Sequence, residues 1–205
     1  MIVNVKTQRV LTLWLAGLIL WSTSALLNSA TAQTASSEDT SEQFITPNLG
    51  KCDFAVDFPS RPLVDRKCPP EPEGAEDESK ACQYKVEFTK VYIGEATVTV
   101  TAICNPAQSA DLEKYSEPEM KATVERRAEE RSVTTYQTYT GQTESGEKYA
   151  ILTGGRQKAT GTDIVMTQIW ISDESFFSIS GTIEGRSSEA IDQDFSRIMR
   201  SVRKK

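Results

Sequence analysis

The fold is decided by the stretch Ile164-Val165-Met166-Thr167-Gln168-Ile169-Trp170-Ile171 in the last quarter of the chain. Apolar side chains occupy both sets of alternating positions here, whereas a strand with one face in water carries them at every second position. Such a strand is expected at the centre of a sheet, covered on both faces. We therefore predict an α+β protein in which an antiparallel β-sheet has helices packed on both faces, an α/β/α sandwich.

Three further strand patterns accompany this stretch. Residues 133–140 and 147–153 are joined by Glu144-Ser145-Gly146, which is typical of a hairpin turn. The central strand, predicted over 163–172, is followed after a short turn by residues 175–183. Short connections of this kind join antiparallel strands, so the four segments predict one antiparallel sheet.

An amphipathic helix is predicted immediately before these strands, over about residues 117–131. Ser116 and Glu119 have the spacing of a capping box, with a proline inside the first turn. The apolar face of this helix is expected to carry Met120, Val124 and Ala128. Its other faces are charged, so it should lie on the surface of the sheet.

A second amphipathic helix is predicted at the end of the chain, after a cap at Ser187 or Ser188. Its apolar face is formed by Ile191, Phe195, Ile198, Met199 and Val202. The basic residues of its C-terminal end are Arg197, Arg200, Arg203, Lys204 and Lys205. Positive charge is favoured at a helix C-terminus, and a patch for a membrane or an anionic partner is the alternative interpretation.

The first half of the chain predicts four strands in an up-and-down meander. Their positions are residues 52–58, 63–67, 82–88 and 96–104. In such a meander the four cysteines, which begin or end these strands, all lie at one end of the sheet. They are Cys52, Cys68, Cys82 and Cys104.

Two disulfide bonds are the preferred interpretation of these cysteines, each contributing about 3 kcal/mol through loop entropy. Four cysteines allow three pairings. We favour Cys68–Cys82 with Cys52–Cys104, because the first bond closes the loop between the second and third strands, and the other two pairings remain open. A metal site or a redox pair is the alternative, although no Cys-x-x-Cys spacing occurs.

Two loops were considered as binding elements. The acidic, proline-rich segment 69–78 lacks the ordered ligand series of a calcium loop and is interpreted as a solvated loop. The glycine-rich, basic segment 154–161 lacks the spacing of a phosphate-binding loop and is predicted to be a long hairpin tip. With the tyrosines of the preceding strand, this tip forms the candidate contact surface, whose residues are Tyr136, Tyr139, Arg156 and Lys158.

The composition excludes several classes of activity. The chain has 205 residues and no histidine, so catalytic triads, Cys-His dyads and histidine-ligated zinc are impossible. It carries 23 Lys and Arg against 29 Asp and Glu, and this acidic balance argues against nucleic-acid binding. No catalytic residue, cofactor-binding residue or metal ligand is proposed from the sequence.

The N-terminal 32 residues have the parts of a secretory signal peptide. Basic residues precede an apolar run over 10–21, and Ala30-Thr31-Ala32 provides a cleavage site before Gln33. The alternative is an uncleaved membrane anchor, but the run is shorter than the ~20 residues that span a bilayer. We expect a flexible leader over 33–43, a single domain over 44–205, a periplasmic or secreted location and no stable membrane insertion after cleavage.

The opening strand and the C-terminal elements together suggest a family. Residues 54–62, Phe54-Ala55-Val56-Asp57-Phe58-Pro59-Ser60-Arg61-Pro62, resemble the first strand of the PsbP-like family, which shares a fold with the Ran-binding Mog proteins. Residues 176–179 and 195–202 resemble that family's final aromatic strand and amphipathic helix. The resemblance implies an exported bacterial member with an α/β/α sandwich that acts by binding or by aiding assembly, without catalysis. The four cysteines and the acidic loop depart from the family pattern.

These observations predict an exported, non-enzymatic binding or assembly module of the bacterial periplasm. Its partner is an unknown protein or a small ligand. The alternative is a secreted or envelope interaction protein, such as an inhibitor or a host-contact factor. A histidine-free hydrolase using Ser and Lys or paired carboxylates is a third interpretation, but the chain lacks a Gly-x-Ser-x-Gly nucleophile motif.

Overall fold

A computed structural model describes residues 43–69 and 82–205, and all elements below lie in these ranges. The strands are β1 (Phe54–Ala55), β2 (Leu63–Lys67), β3 (Gln83–Tyr92), β4 (Ala96–Pro106), β5 (Thr134–Gln142), β6 (Lys148–Lys158), β7 (Gly161–Ile171), β8 (Ser175–Gly185) and β9 (Arg203–Lys204). The helices are α1 (Ser109–Lys114), α2 (Glu117–Glu130) and α3 (Glu189–Arg200). The short helix α1 was not predicted from the sequence.

Seven of these strands form one sheet in the order β2-β3-β4-β8-β7-β6-β5. Every neighbouring pair is antiparallel. The described part of the chain is therefore an α+β fold, a mostly antiparallel sheet with three helices. The prediction that residues 164–171 form an interior strand is confirmed, because β7 has β6 on one side and β8 on the other.

The helices form where the sequence predicted them. At the start of α2, the backbone N–H of Ser116 donates to the Glu119 carboxylate at 2.8 Å, which completes the capping box. The buried residues of this helix are Met120, Val124 and Ala128, as expected. Ser188 caps α3, whose buried residues are Ile191, Phe195, Ile198 and Met199.

The buried apolar side chains form two clusters. The α2 cluster joins α2 to β6 and β7; it consists of Met120, Val124, Ala128, Val133, Ala150, Leu152, Val165, Ile169 and Ile171. The α3 cluster joins α3 to β3, β4, β8 and the segment before β2; it includes Phe54, Phe58, Val86, Val100, Phe177, Ile179 and Phe195. In β7 the two sets of side chains separate, because Val165 and Ile169 belong to the α2 cluster while Met166 and Trp170 pack against the α3 cluster.

Close approach of α3 to the sheet depends on one glycine in β8. A Cβ atom at Gly181 would lie 2.5 Å from the ring of Phe195 and 3.0 Å from the sulfur of Met199. The absence of a side chain at this position therefore lets both residues of α3 pack directly on the strand.

The first predicted strand, residues 52–58, is not part of the large sheet, so the predicted four-strand meander is wrong. Only β1 is regular, and its partner is β9 at the other end of the chain. An ion pair lies beside this pairing: the two terminal nitrogens of the Arg203 guanidinium donate to the carboxylate of Asp57 at 2.7 and 3.0 Å. The meander consists of β2, β3 and β4 alone.

The same pairing corrects the interpretation of the basic C-terminal residues. Arg203 and Lys204 do not cap α3, since the helix ends at Arg200 and both residues belong to β9. Lys204 pairs with the buried carboxylate of Glu147 at 2.5 Å. These two cations thus fasten the C-terminal segment to the domain.

Both disulfide bonds have the pairing that the sequence favoured. Cys52 is bonded to Cys104, and Cys68 is bonded to Cys82. The first bond joins the segment before β1 to the end of β4, and the second joins the end of β2 to the start of β3. All four cysteines still lie at the same end of the strands β2, β3 and β4, although the predicted first strand is not part of this sheet.

The segment 154–161 ends in a hairpin turn, as predicted, but the prediction of a long tip is wrong. Strand β6 continues to Lys158 and β7 begins at Gly161, which leaves a turn of two residues. Gly154 and Gly155 are buried strand residues, and side chains of neighbouring residues occupy the space beside them. Glycine here serves close packing rather than a turn.

Several predictions fall outside the described residues. The signal peptide over 1–32, the leader over 33–43 except Gln43, and most of the acidic segment 69–78 are among them. Within the described ranges, no helix is both long enough and apolar enough to span a bilayer.

Candidate interaction surface

One side of the sheet carries apolar and aromatic side chains that no helix covers completely. We call this surface the tyrosine face; its residues are Tyr136, Tyr139, Ile151, Ile164 and Met166. Tyr139 stands opposite Ile151, one position out of phase with Leu152 of the α2 cluster. Side chains alternate along a strand, so both residues project from the side of the sheet away from α2.

The strand β7 contributes the other half of this surface. Ile164 and Met166 flank Val165, which belongs to the α2 cluster, so their side chains also project away from α2. Ile164 is 41% exposed, Tyr136 66% and Tyr139 50%, while Ile151 and Met166 are half-buried. Large apolar side chains exposed near one another on one face of a sheet are typical of a surface that another molecule covers.

The position of Tyr136 depends on an irregularity in β5. The register between β5 and β6 shifts between Thr135 and Gln137, which leaves Tyr136 as the extra residue of a bulge. Its hydroxyl lies over Gly155 of β6, where a Cβ atom would be only 2.0 Å away. The glycine therefore lets the tyrosine ring lie against the sheet.

A second tyrosine packs over a glycine at the other end of the same strand pair. A Cβ atom at Gly141 would lie 2.6 Å from the hydroxyl of Tyr149. The ring of Tyr149 also contacts Trp170, with 4.8 Å between ring centroids, and Trp170 contacts Phe54 of β1 at 6.1 Å. Aromatic packing thus closes this end of the tyrosine face with the β1 segment.

The helix α3 limits the tyrosine face on its long side. Gln168 of β7 donates from Nε2 to the carbonyl of Met199 at 2.7 Å, which anchors the end of α3 over that strand. A helix of 12 residues is about 18 Å long, and α3 packs on β4 and β8. Ile164 lies beyond its reach, so the prediction that this strand is covered on both faces is wrong at that end.

The two basic residues of the predicted contact surface lie elsewhere. Arg156 is in phase with Leu152 of the α2 cluster and stands opposite Asp163, so it projects from the α2 side. It contacts Asp163 at 2.8 Å and Glu184 at 3.1 Å; Lys158 contacts the same two carboxylates at 2.9 and 3.0 Å. The structure thus brings the tyrosines together but separates them from Arg156 and Lys158.

In this four-residue network the pKa shifts of Arg156, Lys158 and Asp163 all favour the charged forms that make the ion pairs. Burial of Asp163 opposes its ionisation, but hydrogen bonds from Lys158 and Arg156 outweigh burial and lower the pKa of the carboxyl. The pKa values of Lys158 and Arg156 are raised, primarily by their hydrogen bonds to Asp163. Both cations are therefore engaged within the protein. Their role in partner contact stays a prediction.

Two other groups with large pKa shifts belong to structural ion pairs. Burial raises the pKa of Tyr92 to about 12, helped by its hydrogen bond to Asp194, which also pairs with Lys90 at 2.6 Å. Burial opposes ionisation of Glu147, yet hydrogen bonds from Lys204 and Thr143 lower its pKa to about 2. Each pair links a strand or turn of the sheet to the C-terminal part of the chain.

A cavity of about 470 Å³ lies at the end of the sheet that holds the cysteines. Its lining includes the Cys52–Cys104 disulfide, Cys82 and several charged or polar side chains, which are Lys51, Tyr84, Asn105, Glu174 and Ser175. Across residues 43–69 and 82–205, no group of three or more Cys, Asp or Glu side chains is arranged to hold a metal ion.

The Ser-x-x-Lys spacing of some hydrolases occurs twice, as Ser145–Lys148 and Ser201–Lys204. In the first, the lysine Nζ donates to the carbonyl of Leu112 at 2.7 Å. In the second, the lysine pairs with Glu147, and the serine hydroxyl donates to the carbonyl of Ile198 at 2.7 Å. Each lysine thus has a structural partner.

The sequence pointed to the tyrosines of this surface but not to its aliphatic part. Tyr136 and Tyr139 were selected as aromatic residues of a strand near the presumed loop. The sequence predicted Ile164 and Met166 to be covered, because they lie in the strand expected at the centre of the sheet; it made no prediction for Ile151. The predicted helices are too short to cover every strand of the sheet, and this was the signal that could have identified the exposed aliphatic residues.

No protein-family model matches the chain, and no curated protein matches it significantly. Solved structures that are similar to this chain include the following three. A Pseudomonas aeruginosa protein of unknown function, PA94, is 9% identical, with 77% of this chain and 91% of that chain covered and a TM-score of 0.41. Cyanobacterial PsbP from Synechocystis is 10% identical, with 80% and 94% covered and a TM-score of 0.44. LpqN, involved in cell envelope biogenesis of Mycobacterium tuberculosis, is 14% identical, with 78% and 89% covered and a TM-score of 0.35.

One of these three structures belongs to the family that the sequence resembles, the PsbP proteins. Nothing about the activity of this chain follows from likenesses at such low identity. The proposals below rest on its own residues.

Proposed function

We propose that this chain is an exported, non-enzymatic binding or assembly module that holds a protein partner against the tyrosine face. The observation that carries the proposal is the exposure of Tyr136 and Tyr139 on β5 and of Ile164 on β7, on either side of β6. An exposed apolar patch costs free energy in water, and covering it with a partner regains about 25 cal/mol for each Å² of apolar surface.

Tyrosine suits such a surface for two reasons. Its ring provides a large contact area at a small entropy cost, and its hydroxyl stays hydrated while the surface is free. Tyr136 is held against the sheet over Gly155, so part of its entropy is already lost before a partner arrives. The surface is thereby preorganised for contact.

We also infer that α2 and α3 cover opposite faces of the sheet. The support is the alternation in β7, where Val165 and Ile169 pack with α2 while Met166 and Trp170 pack towards α3. In this arrangement α2 covers the strands β5 to β7 on one side, and the tyrosine face lies beside α3 on the other. The partner would then contact the sheet directly.

Export is the second part of the proposal. Two disulfide bonds are typical of proteins that fold in an oxidising compartment, and the predicted signal peptide would deliver the chain there. A periplasmic or secreted location follows from these two features. The captured partner would distinguish a periplasmic assembly role from an inhibitor or a host-contact role.

Site-specific crosslinking in the native compartment tests the proposal. A photo-crosslinking amino acid replaces Tyr139 in one full-length chain and Ile93, which is 96% exposed in the β3–β4 turn, in the control. We expect a discrete crosslinked partner from position 139 and none from position 93. The same pattern from both positions, or no product from either, would contradict the proposal.

Matched substitutions give a second test. Tyr136→Ser with Tyr139→Ser should abolish capture of that partner, whereas Val91→Ser with Ile93→Ser removes exposed apolar groups elsewhere and should leave capture unchanged. The pair Arg156→Ala and Lys158→Ala tests the contact residues on the α2 side. Loss of capture in that pair alone would move the binding surface away from the tyrosine face.

A further inference from the structure

The two edges of the large sheet differ in charge. One edge is β2, whose five residues include Asp65, Arg66 and Lys67. The other edge is β5, whose nine residues read TTYQTYTGQ and include no charged side chain and no proline. Proteins usually protect a free strand edge with charges or proline, because an unprotected edge pairs with other strands.

In the described part of the chain, β6 is the one strand paired with β5, and no other strand lies on its outer edge. The helix α2 packs on the face of β5, where the hydroxyl of Thr138 donates to Glu125 at 3.2 Å. Threonine and tyrosine, which make up six of its nine residues, favour the extended conformation. The edge is therefore ready to accept a further strand.

We propose that β5 pairs antiparallel with the β5 strand of a second copy of this chain, forming a two-fold symmetric dimer. The regular part of the strand follows the bulge and runs from Gln137 to Gln142. Antiparallel pairing about Tyr139 uses this part: Gln137 faces Gly141, Thr138 faces Thr140, and Tyr139 faces its own copy. No like charges meet in this pairing, and aromatic and threonine pairs across strands are favourable.

The same symmetry operation is unfavourable at the other edge. Antiparallel pairing of β2 with its copy about Asp65 would place two aspartates directly opposite each other. Self-pairing is thus permitted by charge at β5 and opposed at β2. This difference favours the β5 edge over the β2 edge for pairing with a second copy.

The dimer would enlarge the tyrosine face. A two-fold axis perpendicular to the sheet leaves the same side of both copies facing the same direction. The side chains of Tyr136 and Tyr139 from the two copies would then form one continuous surface across the axis. The dimer forms through the edge of β5 and needs no other protein, so its existence does not depend on the proposed function.

The interface is small, so the dimer should dissociate on dilution. Pairing of one strand edge falls below the ~1,200 Å² of standard interfaces, which is typical of weak and transient contacts. We expect sedimentation equilibrium of the purified protein, expressed from the full-length chain, to give an apparent mass that rises from one copy towards two across a roughly hundredfold concentration range. A mass of one copy throughout would overturn the proposal.

Charged substitutions at Tyr139, which lies on the two-fold axis of the dimer, test the location of the interface. Tyr139→Lys and Tyr139→Glu each place like charges opposite each other and should raise the dimer dissociation constant roughly tenfold or more. An equimolar mixture of the two variants pairs opposite charges and should recover association. Leu63→Lys adds the same charge at an exposed position of β2 and should leave association unchanged.

Hydrogen exchange adds a measurement on the wild-type chain. The outward amides of β5 should become more protected as concentration rises, while those of β2 should not change. Self-association that persists in both Tyr139 variants would place the interface elsewhere and overturn the proposal. Amides of β5 that are equally protected at every concentration would mean that another part of the same chain covers this edge, with the same consequence.

Discussion

Removal of the two disulfides should destabilise the domain by different amounts. Cys52–Cys104 closes a loop with a sequence separation of 52, and Cys68–Cys82 closes one of 14. The loop-entropy relation assigns about 4 kcal/mol to the first bond and about 3 kcal/mol to the second. The longer loop thus accounts for a difference of about 1 kcal/mol.

Packing should widen this difference. Cys52 is 5% exposed and Cys104 3%, and both belong to the α3 cluster; in the other bond Cys82 is buried in the same cluster, but Cys68 lies exposed at the end of β2. The longer bond also joins the segment around β1 to β4, and that segment supplies Phe54 and Phe58 to the core. Loss of this bond therefore weakens both the loop restraint and the packing of the N-terminal segment.

The assay is urea unfolding of the oxidised protein, with Cys52→Ala/Cys104→Ala compared with Cys68→Ala/Cys82→Ala and with wild type. We expect the first pair to lose more than about 4 kcal/mol of unfolding free energy and the second about 3 kcal/mol. Equal losses, or a larger loss from the second pair, would refute the reasoning from loop length and burial. Unfolding of reduced wild type, which should lose the sum of both, is the control.

The remaining predictions concern packing and ionisation. Gly154→Ala should lower the free energy of unfolding by about 1–3 kcal/mol in thermal unfolding, because its Cβ would meet a backbone carbonyl at 2.5 Å. Gly155→Ala displaces an exposed tyrosine hydroxyl and should therefore cost less. A larger loss from Gly155→Ala than from Gly154→Ala would contradict this. Glu147 has its pKa lowered to about 2 from 4.5, so wild type should lose up to about 3 kcal/mol as the pH falls through that window. Glu147→Gln should flatten this pH dependence in urea titrations, and an unchanged slope would exclude the pair as its origin. Spectrophotometric titration should show Tyr92 ionising near pH 12, and Asp194→Asn should bring it closer to 10.

Much of the fold could be predicted because its signals are local. Alternation in β7, the capping box at Ser116 and the apolar spacing of α3 each depend on neighbours within one turn or one strand. The cysteine pairing could be favoured because Cys68–Cys82 closes the loop between the second and third strands, an argument that needs only the order of the strands. These features needed no knowledge of distant contacts.

The errors arose where a distant residue decides the structure. Strand β1 pairs with residues about 150 positions away, beside the ion pair between Asp57 and Arg203, and nothing near Asp57 indicates this partner. Gly154 and Gly155 resemble turn residues, but in the structure they make room for Val133 and Tyr136. Local composition cannot distinguish a glycine that turns the chain from one that admits a neighbour.

The interaction surface was only partly predictable for a related reason. An apolar residue such as Ile164 indicates burial, but its exposure depends on how far α3 extends over the sheet. The basic residues Arg156 and Lys158 looked available because their carboxylate partners, on β7 and β8, come later in the chain. The residues of the tyrosine face and the two basic residues project from different sides of the sheet, and the sequence alone did not provide these positions.

Mass spectrometry of the mature protein under non-reducing conditions most directly tests whether this is an exported, disulfide-stabilised binding module. The protein recovered from the envelope or medium should begin at Gln33, contain no free thiol and give linked peptides that join Cys52 to Cys104 and Cys68 to Cys82. A chain recovered inside the cell with residues 1–32 intact and four free thiols would contradict export, and with it the assignment to a binding role outside the cytoplasm.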